Sequence, residues 1–210
     1  SSQLTAYLFK IQAIRIADSP PAPLLTLIVG PSESAKEIAS SKQETSHRSA
    51  SRGKYFEQLL QYQSSNTNLN SSRSGSTSPY LDIGRIEKGV GLSYGLSKEG
   101  TALYIWIERG KDWADWNDAV FRHLLIQKDE IEKAFGEPLT WDAKEGNRSR
   151  KLAVYMKSGG WGTPEVWPDV IKETVEKMVR FDALLRDPVR EAVKAADSVN
   201  SDGGSAYSES

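Results

Sequence analysis

The sequence predicts an α+β protein with a mainly antiparallel sheet of about five strands, packed with two long helices and one shorter helix. Residues 90–96 and 102–108 alternate apolar and polar side chains, which is the period of a strand. Residues 113–135 and 163–185 instead carry apolar side chains at helical spacing. Strands and helices in separate runs along the chain are typical of an α+β domain.

The first 30 residues predict a pair of strands. Apolar residues alternate from Leu4 to Ile16, and Leu24–Val29 is a short apolar run rich in strand-forming residues. Between them, Pro20, Pro21 and Pro23 exclude a helix and lack the N–H groups that a central strand needs. Because the chain starts at Ser1 in mid-strand, we expect it to be a fragment or a processed form of a longer protein.

Two serine-rich segments flank a short predicted helix. Residues 31–53 contain one large aliphatic side chain, Ile38, so they indicate a linker or a solvated helix. The apolar stripe from Tyr55 to Tyr62 predicts a short helix that begins before Lys54. Residues 63–79 are rich in Ser, Asn and Gly, which predicts a mobile surface loop.

The core domain is predicted to cover residues 54–187, and all six tryptophans lie within it. Its strands are expected at Leu81–Ile86, Val90–Leu96, Ala102–Glu108, Leu139–Trp141 and Lys151–Lys157, the last two joined by a polar hairpin. One helix of about 24 residues should run from Trp113 to Phe135, because Gly136 and Pro138 follow it as a helix stop.

The last long helix is expected to open at Thr163-Pro164-Glu165, with proline at the first helical position. It carries an apolar stripe as far as Leu185. Residues 188–210 are expected to form one short helix and then a disordered tail, because the segment ends in a run of Ser, Asn and Gly.

Composition excludes several classes of protein. The 27 basic and 28 acidic residues give a net charge of −1, so the chain is not a polybasic nucleic-acid binder. With no cysteine and two histidines, it has no disulfide framework, thiolate metal site or cysteine nucleophile. We expect no cofactor and no metal. The chain shows no apolar run long enough for a membrane span, and a cytoplasmic location without a membrane partner is expected.

The core resembles a known family in its most distinctive runs of sequence. These runs are GLSYGLSKEGTALYIWIERG, AVFRHLLIQKDEIEKAFGEPLTW and RSRKLAVYM, followed by a Trp-containing helix. From about Tyr55 to Leu185 they resemble the prokaryotic domain-of-unknown-function family 4268, most specifically in Gln127–Trp141 and in the pair Ser149-Arg150. Members commonly carry an upstream domain that resembles PD-(D/E)XK nucleases. The resemblance implies that residues 1–30 are the end of such a nuclease-like domain, a partner in cis.

The strands of the core carry a candidate nucleic-acid site. Alternation places Tyr104 and Trp106 on one strand face, and Lys151, Tyr155 and Lys157 on one face of a later strand. If the two strands share a sheet, rings beside cations form the kind of surface on which single-stranded nucleic acid stacks. Positive charge in the adjoining hairpin extends the candidate site to Lys144, Arg148 and Arg150. The pattern does not distinguish DNA from RNA; DNA is the expected partner, and the family resemblance implies a restriction or defence setting.

Two structural alternatives remain open for these residues. The aromatic side chains at 104, 106 and 155 are more typical of a second core layer beneath covering helices than of an exposed surface. Arg150 is as well explained by an ion pair with a helix carboxylate such as Glu130 or Glu132. The domain would then be a structural or oligomerisation module, with a homodimer as its partner state.

A divergent metal-dependent nuclease is the less favoured alternative. Its carboxylates would be Asp82, Glu87 and Glu108, which could hold Mg²⁺. Glu87 and Lys88 are adjacent, however, so on a strand they lie on opposite faces, whereas an E-x-K spacing would place both on one face. We expect no catalytic centre within this chain.

Overall fold

The computed structural model describes residues 8–16, 19–29, 33–69, 75–144 and 146–203. The chain divides into two compact units, Ser1–His47 and Arg48–Ser210. In the first unit, β1 (Leu8–Ile14) pairs antiparallel with β2 (Ala22–Val29), as the two-strand prediction requires. The predicted start of the first strand at Leu4 lies outside the described residues.

Helix α1 (Glu33–Asn66) crosses the boundary between the units. The expected short helix is therefore much longer, and of the two alternatives for residues 31–53 the helix is the one observed from Glu33 onwards. Its residues 40–48 are exposed, whereas Tyr55, Phe56 and Leu59 are fully buried. The predicted loop at 63–79 starts later, after Asn66, and its residues 70–74 lie outside the described part of the chain.

The second unit contains a five-stranded antiparallel sheet in the order β3-β4-β5-β7-β6. The strands are β3 (Tyr80–Glu87), β4 (Val90–Leu96), β5 (Thr101–Ile107), β6 (Thr140–Asp142) and β7 (Arg150–Met156). The predicted α+β class and the five antiparallel strands are confirmed. Antiparallel pairing allows the two faces of this sheet to have different compositions.

The predicted helix at 113–135 is in fact two helices. They are α2 (Ala114–Ile126) and α3 (Lys128–Phe135), separated at Gln127. The Gln127 N–H donates to the Leu124 carbonyl three residues back, so the chain tightens there. The turn leaves Ile126 almost fully exposed and lets Ile131 and Phe135 rejoin the core. Gly136 ends α3 in the left-handed conformation, as predicted.

The last helix is also longer than expected. After a short 3-10 turn at Pro164–Val166, α4 runs from Trp167 to Gly203 and passes through Pro188. The expected short helix from residue 188 is therefore the continuation of α4, because the buried apolar stripe runs on beyond Pro188. The residues that extend it are Val189, Ala192, Val193 and Ala196. The part of the predicted tail at 204–210 lies outside the described residues.

The main core lies between the helices and one face of the sheet. Leu103, Ile105 and Ile107 of β5 are fully buried on that face. They join one cluster with α1, α2, α3 and α4, in which Trp116, Phe121, Met178 and Phe181 are prominent. None of the described helices is long and apolar enough to cross a membrane.

Candidate functional site

The opposite face of the sheet carries the aromatic side chains, because the strands pair in register. We call the surface formed by Tyr80, Tyr104, Trp106, Lys151 and Tyr155 the aromatic face. Three rows of paired residues cross it. The first row runs from Tyr80 through Gly95 and Ala102 to Tyr155. The second row runs from Asp82 through Ser93, Tyr104 and Ala153 to Thr140. The third row runs from Gly91 through Trp106 and Lys151 to Asp142.

The rings of the aromatic face form a contiguous group. The Tyr104 ring lies at the centre, with centroid distances of 5.7 Å to Tyr80, 5.5 Å to Trp106 and 5.9 Å to Tyr155. The Tyr80 and Trp106 rings meet edge to face at 6.0 Å. These separations are within the favourable range for aromatic pairs, so each ring restricts its neighbours.

Burial differs sharply across this group. Tyr104 is 7% exposed and forms a small second cluster with Ala102 and Ala153. Tyr80 and Tyr155 remain 45% and 52% exposed. The expectation of a second core layer therefore describes Tyr104, with Trp106 partly buried against it, whereas Tyr80 and Tyr155 face solvent. Exposed aromatic surface next to a buried ring is a candidate for binding a partner.

Small residues under the rings make this arrangement possible. A Cβ at Gly95 would lie 2.4 Å from Cε2 of Tyr104, so only glycine lets that ring lie flat against β4. Ala102 on β5 is the register partner of Gly95, and Ala153 on β7 is the register partner of Tyr104. The glycine at position 95 thus serves the close approach of a ring.

Lys151 links the aromatic face to the edge strand β6. Its Nζ lies 3.2 Å from Oδ2 of Asp142, and 5.4 Å and 5.3 Å from the ring centroids of Tyr104 and Trp106. Partial burial disfavours the ammonium, but the Asp142 carboxylate and the Tyr155 hydroxyl outweigh it and raise the pKa of Lys151. The same hydrogen bond, with that from the Lys144 backbone N–H, lowers the pKa of Asp142. Lys151 is therefore a fixed positive charge at neutral pH.

Two hollows flank the rings. One of about 620 Å³ includes Arg52, Tyr80, Tyr155 and Lys157 among its lining residues. The other, of about 690 Å³, lies towards Trp106. Both volumes fall in the range of small-molecule sites in proteins. The exposed rings thus stand between two cavities large enough for flat ligands.

The hairpin residues predicted for the site do not all lie on the aromatic face. Arg150 belongs to the set that faces the helices and pairs with Asp118 of α2, and its guanidinium also donates to the Asn147 and Ser149 carbonyls. The expected carboxylate at Glu130 or Glu132 is thus not the partner, although the ion pair itself is present.

The other hairpin cations lie nearer to solvent. The Nε of Arg148 is 2.8 Å from Oε1 of Glu108, and the Arg148 side chain is half exposed. Lys144 is exposed, and its backbone N–H donates to Asp142. The structure therefore brings together Tyr104, Trp106, Lys151, Tyr155 and Lys157, and leaves Arg150 on the other face.

Sequence reasoning missed Tyr80. The sequence pattern does contain evidence for it, because Tyr80 and Asp82 lie on the face of β3 opposite to the buried Leu81. Only the register with Gly95 shows that β3 lies near β5 across a strand of small residues. Pairing order, which periodicity does not determine, was the missing information.

The three carboxylates of the nuclease alternative each have a different hydrogen-bond or ion-pair partner. Asp82 accepts a hydrogen bond from Ser93, Glu87 pairs with Arg190, and Glu108 pairs with Arg148. Among the residues that the structure describes, no three His, Cys, Asp or Glu side chains form a group able to hold a metal ion. Asp82 and Glu108 line one hollow, and Glu87 does not line it.

The family of the chain follows from comparison with protein-family models. The model described as "Domain of unknown function (DUF4268)" matches residues 51–189. The chain belongs to the DUF4268 family. The predicted resemblance is confirmed, and the whole aromatic face lies inside the DUF4268 match. No curated protein and no solved structure matches the chain.

Proposed function

We propose that the aromatic face binds single-stranded nucleic acid, and that this DUF4268 domain is an accessory or targeting module for a nuclease-like domain. The observation that carries the binding proposal is the pair of half-exposed rings, Tyr80 and Tyr155, on either side of the fixed Tyr104. Bases stack on such rings, and every base has a suitable face. The nuclease association rests on what the family resemblance implies.

A single strand fits this surface better than a duplex. The rings lie on the face of a sheet and can reach only bases that are unstacked and turned outwards. Tyr80 and Tyr155 also stand at opposite ends of one cross-strand row, so two bases of one strand can contact different rings. A base-paired helix would present its phosphates to the same surface.

Charge on the aromatic face supports base contact more than phosphate contact. Lys151 is already balanced by Asp142. Lys157 is exposed and lines the hollow that also contains Tyr155. We therefore expect a shallow dependence of affinity on salt, with a slope set by a few phosphates only.

The test is equilibrium binding of short fluorescent oligonucleotides, as single-stranded DNA, single-stranded RNA and duplex DNA, at low salt. We expect the single strands to bind more tightly than the duplex. Tyr155→Ala and Tyr80→Ala should each cost about 1–3 kcal/mol of binding free energy, the value of one stacked base. Ile126→Ala, which removes an exposed apolar side chain of α2, is the matched control and should bind like the wild type.

Charge variants separate stacking from phosphate contact. Lys157→Glu should reduce the salt slope by about one phosphate contact, whereas Lys133→Glu on the exposed side of α3 should not. Absence of binding to any single strand at low salt would refute the proposal. So would a concentration-dependent dimer, seen by sedimentation, that Tyr155→Ala abolishes, because the face would then be an interface between two copies.

A further inference from the structure

The hollow of about 690 Å³ combines aromatic rings with carboxylates. Tyr80, Trp106 and Gly91 line it together with Asp82 and with Glu108, and Glu108 is already paired with Arg148. A Cβ at Gly91 would meet nothing closer than the Gly84 carbonyl oxygen at 3.5 Å. A flat ring can therefore lie against Trp106 and above β4, with its edge towards Asp82.

Asp82 is held in place and still has hydrogen-bonding capacity. The Ser93 hydroxyl donates to its Oδ1 over 2.6 Å, which fixes the orientation of the carboxylate. A carboxylate accepts about four hydrogen bonds, so both oxygens remain able to accept from a ligand. Within the described residues, no lysine or arginine forms an ion pair with Asp82, unlike Glu108 and Asp142.

An acceptor-only carboxylate distinguishes one base from the others. Guanine presents two adjacent donors, N1–H and N2–H, which match the two oxygens of a carboxylate. Adenine and cytosine present one donor beside a ring-nitrogen acceptor, and thymine presents one donor between two carbonyl oxygens. The latter three bases would each place an acceptor against a carboxylate oxygen, which is repulsive.

The hollow also contains positive charge. Arg85 and Lys88 line it and are exposed. Both come from β3 and the turn that follows, whereas Trp106 belongs to β5. A nucleotide with its base on Trp106 can therefore direct its phosphate towards these two side chains.

We propose that this hollow is a guanine subsite, in which Asp82 accepts from N1–H and N2–H while the base packs against Trp106. The inference rests on the proposed binding of single-stranded nucleic acid and adds base preference to it. Asp82 is then the residue that selects the base, and the rings provide affinity without selection.

The test uses oligo(dT) and three otherwise identical strands in which one central residue is dG, dA or dC. Wild-type protein should bind the dG strand about tenfold more tightly than the other three, the value of one good bidentate base contact. Asp82→Asn keeps an acceptor for Ser93 but replaces one acceptor by a donor. It should lose the preference for dG and gain affinity for dA or dC.

Asp129→Asn, an exposed position on α3, is the matched control and should keep the preference for dG. Equal binding of all four strands by the wild type would overturn the guanine subsite and leave the stacking proposal intact. An unchanged dG preference in Asp82→Asn would also overturn it. Failure to bind any of the four strands would instead refute the underlying function.

Discussion

At the scale of single residues, the aromatic face depends on Gly95. The Tyr104 ring occupies the space where any other side chain at position 95 would begin. Tyr104 in turn contacts Tyr80, Trp106 and Tyr155. Displacing this one ring should therefore disturb all of the others.

Gly95→Ala tests this dependence. The new Cβ would lie 2.4 Å from Tyr104 Cε2, so the ring must move, and we expect a loss of about 1–3 kcal/mol in the free energy of unfolding. Gly91→Ala, on the same strand and face, meets its nearest atom at 3.5 Å and should unfold within about 0.5 kcal/mol of the wild type. Urea unfolding measures both, and equal stability of the two variants would contradict the account.

Residue identity alone predicted part of the candidate site. Alternation placed Tyr104 with Trp106 and Lys151 with Tyr155, because a strand fixes which side chains share a face. Arg150 was assigned to the same site because of its charge. On β7, however, Arg150 lies on the opposite face to Lys151, and its side chain is only 12% exposed and pairs with Asp118. Its position in the alternation was therefore a better guide than its charge.

At the scale of elements, the short strand β6 is held by a charged pair. Asp142 and Lys151 are register partners, and their side chains also bond. Because the pKa of Asp142 is lowered in the folded state, Asp142 stabilises the fold at any pH above the ordinary pKa of an aspartate. This stabilisation is lost as the pH falls through the lowered pKa of Asp142. Because the pKa of Lys151 is raised in the folded state, Lys151 stabilises the fold at any pH below the ordinary pKa of a lysine. This stabilisation is lost as the pH rises through the raised pKa of Lys151.

The pair therefore stabilises the fold across the range between about pH 5 and pH 10. Asp142→Asn should lower the urea midpoint at pH 7 and reduce the further loss that the wild type shows below about pH 4. Asp129→Asn is the control at an exposed position. If the urea midpoints of Asp142→Asn and of the wild type were equal at every pH, the pair would contribute nothing to stability.

Helix lengths were harder to predict than strand positions. An interior proline loses a backbone hydrogen bond, which locally disfavours a helix that continues through Pro188. Tertiary contacts reverse this preference further along, where Asp197 accepts from Arg109 and from Trp116 Nε1 at 2.8 Å. Burial disfavours its charge, yet these two donors lower the pKa of Asp197. Such long-range partners carry no signal in local periodicity.

At the scale of the whole molecule, one sheet serves two purposes. Its helix-covered face holds the main core, and its other face carries the rings. The α+β class and the five strands could be predicted, since alternation and turn residues are local properties. The pairing order β3-β4-β5-β7-β6 is a global property that a single sequence does not reveal. This order brings Tyr80 to Tyr104 and leaves Tyr80 and Tyr155 exposed.

The central claim is that nucleic acid lies on the aromatic face, and photochemical crosslinking locates it most directly. A single strand containing 5-bromouracil, bound to the full chain and irradiated, should crosslink to Tyr80, Trp106 or Tyr155, identified by mass spectrometry of the peptides. Excess unlabelled strand should suppress these crosslinks. Crosslinks confined to the helices or to the Arg150 hairpin, with none on the aromatic face, would contradict the account.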